Sequence, residues 1–170
     1  KSQNAAVQIV GADPSGSVYS GGTGRPYLTE GIGEDFWPTT FDPTIVDRVV
    51  EVTDADAFLT ARRVTRDEGL LIGGSGGTAV QAALVVAREC RPDDIVVVLI
   101  PDSGRGYLSK IFDDAWMMDF GFIRGSGPCA GDVLASKDCS IPDLVLVTPE
   151  PTSMTDAYAT IKVLAATQGR

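Results

Sequence analysis

Histidine is absent from the 170 residues. That one absence removes Ser-His-Asp triads, Cys-His dyads and the histidine-dependent metal motifs together. Any chemistry must then come from carboxylates, Ser, Lys, Tyr, backbone amides or a cofactor. Cysteine is scarce: Cys90, Cys129 and Cys139 are odd in number and have no C-x-x-C spacing. Neither a disulfide framework nor a zinc site is expected, and a reducing, cytoplasmic setting fits best. Positive charge is the minority, with 14 Lys+Arg against 23 Asp+Glu and a net charge of -9. Such a surface repels phosphate backbones, so no nucleic-acid partner is expected. Long apolar runs are missing too. The densest stretches, 79–87 and 95–100, fall short of the roughly 18–20 residues of a bilayer span, and no membrane partner is expected. The opening Lys1-Ser2-Gln3-Asn4 has no apolar region of a signal peptide. It also lacks Met, and the last expected helix stops abruptly. The chain is therefore expected to be a piece of a longer protein.

What is present is enough for a folded core: 44% hydrophobic against 22% charged residues. The length suits one domain, or one plus part of another. Residues 6–10 (AVQIV) read as a strand, 14–26 as a Gly-, Ser- and Pro-rich loop, and 48–52 (RVVEV) as a second strand. Thr53 can cap the next helix, with Asp54 and Asp56 in its first turn and Gly69 closing it. Ala57, Phe58, Ala61 and Val64 recur along it at three-to-four spacing. A brief buried strand at 70–72 leads into Gly73-Gly74-Ser75-Gly76-Gly77-Thr78. The helix expected from about Gly76 to Cys90 is apolar on nearly every face, which predicts packing on both sides. Residues 95–100 (IVVVLI) have the continuous β-branched character of a strand covered on both faces of a parallel sheet. Residues 107–112 read as helical and 113–122 as an aromatic-rich terminus. Alternation of strands and helices is the α/β pattern. After Phe122 the composition shifts. Residues 123–130 read as a linker, followed by 131–135, a strand-like 144–147, and a helix over 153–166.

In open parallel sheets, ligands bind outside the carboxyl ends of the strands. Two loops have that place, 73–78 and 101–106. The first offers a hydroxyl and backbone N–H groups at a helix start, suited to an anion or a polar ligand edge. The same residues also suit a plain turn with Ser75 as N-cap. They match neither the Walker pattern, nor G-x-S-x-G, nor a spaced G-x-G-x-x-G. Gly21-Gly22-Thr23-Gly24 follows no strand and reads as loop. Gly31 and Gly33, flanked by Glu30, Glu34 and Asp35, suit either a site border or a structural turn. Tyr107 and Lys110 read as surface or packing positions, Trp116, Met117 and Met118 as core or interface, and Cys90 as inert.

Four ordered strings carry a more specific signal: 30–38 (EGIGEDFWP), 68–75 (EGLLIGGS), 101–110 (PDSGRGYLSK) and 114–117 (DAWM). In order and spacing they resemble the cystathionine β-synthase family across about residues 1–122. The tail, with 131–134 (GDVL), Val147-Thr148-Pro149, Thr152 and Ala157, is similar to the start of that family's Bateman-type regulatory module. The resemblance implies the C-terminal part of a fold-type II pyridoxal-phosphate domain: α/β, a parallel sheet with helices on both faces, plus a truncated CBS motif over 131–170. It implies pyridoxal 5'-phosphate as cofactor and a β-replacement joining serine and homocysteine into cystathionine. Ser75 would hydrogen-bond the pyridine nitrogen. Gly31 and Gly33 would border the cofactor and substrate space, and Pro101 and Asp102 would close the cofactor's far side. A neutral hydroxyl in that place would leave the ring nitrogen unprotonated and a weaker electron sink, which favours elimination over transamination. In the family the Schiff-base lysine and the phosphate-cradling loop precede the strand at 6–10. No catalytic residue is therefore expected in this chain, and Lys1, Lys110, Lys137 and Lys162 stand outside that context. The fragment alone is expected to be inactive, and nothing in the sequence suggests haem. A homo-oligomer, and an adenosyl ligand at a complete regulatory module, are implied for the full-length form. A cysteine synthase working on activated serine and sulfide is the near alternative. A non-catalytic adenosyl-ligand sensor is the distant one.

Overall fold

The structure, a computed structural model, describes residues 1, 3–124, 144–147 and 162–166. Its elements in chain order are β1 (Gln8–Pro14), β2 (Arg48–Val52), α1 (Asp54–Glu68), α2 (Gly74–Ala87), β3 (Ile95–Leu99), a 3-10 turn (Gly104–Tyr107), α3 (Asp114–Asp119), β4 (Leu144–Val147) and β5 (Lys162–Ala166). No helix among the described residues is long and apolar enough to cross a membrane.

Five strands form one sheet in the order β2-β1-β5-β3-β4. β1 pairs β2 in parallel, with Val10 opposite Arg48 and Pro14 opposite Val52. β3 pairs β4 in parallel, with Val96 opposite Leu144. These two pairs are the parallel α/β arrangement that the alternation of elements predicts. β5 corrects two expectations. Residues 162–166, expected at the end of a helix, form a strand, and that strand runs antiparallel to both β1 and β3. The sheet is therefore mixed. The physical reason is hydrogen bonding: a strand between two open edges satisfies its amides on both sides, which outweighs the weak helical spacing of a five-residue segment. Most of the expected linker and regulatory-module residues, 125–143, 148–161 and 167–170, lie outside the described residues.

α1 forms as its sequence predicts. Thr53 accepts a hydrogen bond from the Asp56 N–H, and Gly69 closes the helix in the left-handed region at φ 71°. Ala57, Phe58, Ala61 and Val64 are buried, facing α2. α2 in turn lies on the sheet, touching β1, β2, β3 and β5. The nearly all-apolar helix is thus packed on two sides, as its composition required. Its first turn sits so close to α1 that a Cβ on Gly77 would lie 2.0 Å from the Ala57 carbonyl oxygen. β3 corrects another expectation: Val96 and Val98 are fully buried, while Ile95, Val97 and Leu99 keep partial exposure. α1 and α2 stack as successive layers over one face of the sheet, so that face is covered more completely than the other.

Residues 70–72 do not form a strand; a single antiparallel bridge joins Ile72 to Ser103. The helical reading of 107–112 gives way to the 3-10 turn and hydrogen-bonded turns behind it, because Gly104 and Gly106 weaken an α-helix and a 3-10 turn needs only a few residues. Met117 on α3 is fully buried, and Trp116 and Phe122 meet Phe58 edge to face.

Candidate functional site

The two loops proposed from sequence meet at the start of α2. Besides the Ile72–Ser103 bridge, the Gly73 N–H donates to the Asp102 carbonyl at 3.3 Å and the Gly104 N–H to the Leu71 carbonyl at 3.1 Å. A Cβ at residue 73 would stand 2.1 Å from Asp102 Oδ1 and 2.9 Å from the Tyr107 ring, so any side chain there would displace both from their present positions. Gly73, not Ser75, is the N-cap, and no side chain caps the helix. Ser75 instead sits inside the first turn, 2% exposed, with its Oγ 3.5 Å from Asp102 Oδ1. The plain-cap reading of Ser75 therefore falls away.

Asp102 is held from its other side. The Tyr107 hydroxyl donates to Asp102 Oδ2 at 2.7 Å. Partial desolvation raises the Asp102 carboxyl above the ordinary carboxylate range, while the hydrogen bonds from Tyr107 and Ser75 pull it back down. The Tyr107 phenol is pushed well above its usual value, first by burial and then by its bond to Asp102, so it remains a donor. Pro101 leads from the buried Ile100 into this loop, itself half-buried.

The Gly31–Gly33 turn approaches the same end of the molecule. Both glycines are left-handed, at φ 74° and 73°. A Cβ on Gly33 would meet Pro14 Cγ at 2.6 Å and Tyr27 Oη at 2.8 Å, whereas nothing lies within 4 Å of one on Gly31. Gly33 is thus pressed against the end of β1, and Gly31 faces open space. The turn is anchored on three sides. Leu28 and Thr29 N–H groups donate to Asp54 at 2.7 and 2.9 Å, and the Glu34 N–H donates to Ser17 Oγ at 3.0 Å. Glu30 forms an ion pair with Lys110, and its charge acts on both Asp102 and Tyr107, raising each. Ser75, Asp102 and the flank of Gly31 therefore share one electrostatic neighbourhood.

Sequence reasoning passed over Tyr107 as a surface or packing residue. The available signal was an aromatic hydroxyl five residues after Asp102, within a loop too glycine-rich to form a regular helix. It also passed over Asp13, at the carboxyl end of β1. This residue is 1% exposed; Oδ2 accepts the Ser20 N–H at 2.8 Å and Oδ1 has no hydrogen-bond partner among the described residues.

A buried hydroxyl beside helix-start N–H groups can hydrogen-bond the polar edge of a ligand. The α2 start presents a buried hydroxyl and backbone N–H groups without a side-chain cap, while the glycines around it are packed against Asp102, Tyr107, Phe58 and α1. No lysine among the described side chains stands there: Lys1 pairs with Asp47 and Lys110 with Glu30. No cluster of metal-ligating side chains occurs among the described residues.

Comparison with known proteins gives this geometry its class. Residues 1–102 match the family model of pyridoxal-phosphate dependent enzymes, and the chain belongs to that family, whose cofactor is pyridoxal phosphate. Within it, the chain is similar to the cystathionine beta-synthase of Oryctolagus cuniculus, 43% identical over 127 residues that cover 69% of this chain and 22% of that protein. It is similar to the cystathionine beta-synthase of Saccharomyces cerevisiae, 39% identical over 149 residues, 82% of this chain and 28% of that protein. A putative cysteine synthase of Sinorhizobium fredii is 39% identical over 120 residues, 69% of this chain and 36% of that protein. The chain thus spans about a quarter of the length of these two cystathionine beta-synthases and about a third of the cysteine synthase.

Proposed function

We propose that this chain forms the ring-nitrogen side of the active site of a pyridoxal-phosphate-dependent β-replacement enzyme, one that joins serine and homocysteine into cystathionine. The observation that carries the reading is the buried Ser75 hydroxyl at the uncapped start of α2, tied to Asp102 and Tyr107. When bound, the cofactor would acidify the substrate's α-hydrogen, whose loss to a base would let the β-hydroxyl, on taking up a proton, leave as water. Ser75 binds the ring nitrogen. Pro101 and Asp102 close the side of the ring away from the substrate. Gly31, open and left-handed, borders the substrate space, and Gly33 holds that turn against Pro14. Of the lysines whose side chains are described, Lys1 pairs with Asp47 and Lys110 with Glu30 in exposed ion pairs, so neither is assigned the cofactor-carrying role. The likeness to cystathionine beta-synthases from several organisms, at 36–43% identity, supports serine and homocysteine as substrates. The putative cysteine synthase at 39% supports the second reading, sulfide in place of homocysteine.

The test is Ser75→Ala in the holoenzyme, assayed for cofactor affinity and for product from each substrate pair. Loss of a buried hydrogen bond worth about 1–3 kcal/mol corresponds to a roughly 5- to 150-fold weaker cofactor complex. Unchanged affinity and turnover refute the assignment of Ser75. Cysteine from activated serine and sulfide, without cystathionine from serine and homocysteine, selects the second reading.

A further inference from the structure

The turn that borders the proposed substrate space is held by a residue to which the sequence gives only a helix-start role. Asp54, half-buried at the first position of α1, turns its carboxylate back onto the chain just before that turn. Oδ2 accepts the Leu28 N–H at 2.7 Å, and Oδ1 accepts both the Thr29 N–H at 2.9 Å and the Thr29 hydroxyl at 2.6 Å. A carboxylate accepts on both oxygens, so it serves all three donors at once. Asp56, in the same first turn, is engaged differently: its carboxylate takes the Thr53 hydroxyl at 2.7 Å. Beyond the Asp54 clamp the chain has little slack. Thr29 is 3% exposed, and Ile32, between the two left-handed glycines, belongs to the hydrophobic core. Glu34 closes the far side, its N–H on Ser17 Oγ at 3.0 Å and its carbonyl accepting the Val18 N–H at 2.9 Å. Gly31 alone is left in open space. Having no side chain, it is placed by what holds the residues on either side.

Resting on the reading of the Gly31 turn as the border of the substrate space, we propose that Asp54 is a positioning residue that ties this turn to the start of α1 and so fixes the wall against which the substrate binds. α1 packs on α2, whose first turn carries Ser75, so the clamp refers the turn and Ser75 to one helix pair. A turn that is already ordered spares the substrate the cost of ordering it. Loosening it therefore shows in KM more than in kcat.

The experiment compares full-length holoenzymes carrying Asp54→Asn, Thr29→Val and Asp56→Asn. Asn at 54 has one acceptor oxygen and its amide nitrogen meets a donor, so at least one bond of the clamp is lost. Deuterium uptake of the peptide spanning 25–36, read by mass spectrometry, reports on the turn without any assay of activity. In Asp54→Asn that peptide should exchange faster. KM for the amino-acid substrates should rise roughly tenfold, the worth of one hydrogen bond to a charged group, with kcat and cofactor affinity little changed. Thr29→Val removes the hydroxyl alone and should move both readouts the same way but less, which keeps the test decisive if Asp54→Asn does not fold. Asp56→Asn also removes a first-turn charge from α1 and should move neither. Unchanged exchange in every clamp variant that folds overturns the proposal. So does an equal rise in KM in Asp56→Asn, because helix stability alone would then account for it. Faster exchange at unchanged KM also overturns the positioning role, and traces the failure to the placing of Gly31 beside the substrate rather than to the clamp.

Discussion

Gly77→Ala tests the layer that positions the site. Gly77 lies where α2 crosses α1, and an added Cβ would stand 2.0 Å from the Ala57 carbonyl oxygen and 3.0 Å from the Ala61 Cβ. Neither neighbour is the end of a flexible side chain: one is backbone and the other is fixed to it, 0% exposed. Relief requires the two helices to separate by about 1 Å, which loosens contacts along both. Overpacking of this kind costs about 1–3 kcal/mol, and a clash with backbone belongs in the upper half. Ala's better helix propensity returns at most about 1 kcal/mol. A net loss of about 1–2 kcal/mol lowers the melting temperature by roughly 2–8 °C for a chain of this size. The assay is thermal and urea unfolding of Gly77→Ala beside Gly106→Ala, whose Cβ would meet nothing within 4 Å. Gly106→Ala should be neutral or slightly stabilising. Equal stability of the two variants would refute the argument that the α1–α2 approach requires glycine.

Phe58→Ala should cost about 3–5 kcal/mol, because Phe58 is 1% exposed and meets Trp116 and Phe122 edge to face. Urea unfolding measures this, and a loss below about 1 kcal/mol would mean that the aromatic terminus does not pack as described. Burial raises the Asp13 carboxyl above its ordinary value, so the folded state holds that proton more tightly than the unfolded chain. Its contribution to stability is therefore fully present below the unfolded carboxylate value of about 4 and is lost as pH rises through the raised folded value. Asp13→Asn removes the ionising group. Its stability relative to wild type should rise from acid to neutral pH. Unfolding at several pH values checks the slope, and a pH-independent difference contradicts it.

Much of α1 and α2 could be read from local rules. Thr53 and Gly69 delimit α1 because a cap hydroxyl and a left-handed residue act within one turn. The all-apolar composition of α2 requires two packed sides whatever the neighbours are. The four ordered strings likewise lead to the pyridoxal-phosphate family without any coordinates, because motif spacing is itself a property of the sequence. β5 was not legible in this way. Lys162–Ala166 carries no strong period of either kind, and it becomes a strand through pairing with β1 and β3, residues roughly 70 to 150 positions away. The one-sided cover of β3 was hidden for a similar reason, since a run of Ile and Val does not say how many layers will lie over it.

The site divides along the same line. Sequence by itself determined which residue types are available: no histidine, a glycine-rich turn bearing Ser75, and a second loop bearing Asp102. Only the tertiary structure decided that Ser75 is not the cap, that Asp102 reaches its hydroxyl, and that Tyr107 holds the carboxylate in place. The reason is the reach of the forces involved. Capping and helix periodicity are set within a few residues. The approach of Ser75 to Asp102 joins residues 27 positions apart in the chain, brought near by the Ile72–Ser103 bridge and the Gly73 N–H to Asp102 carbonyl bond.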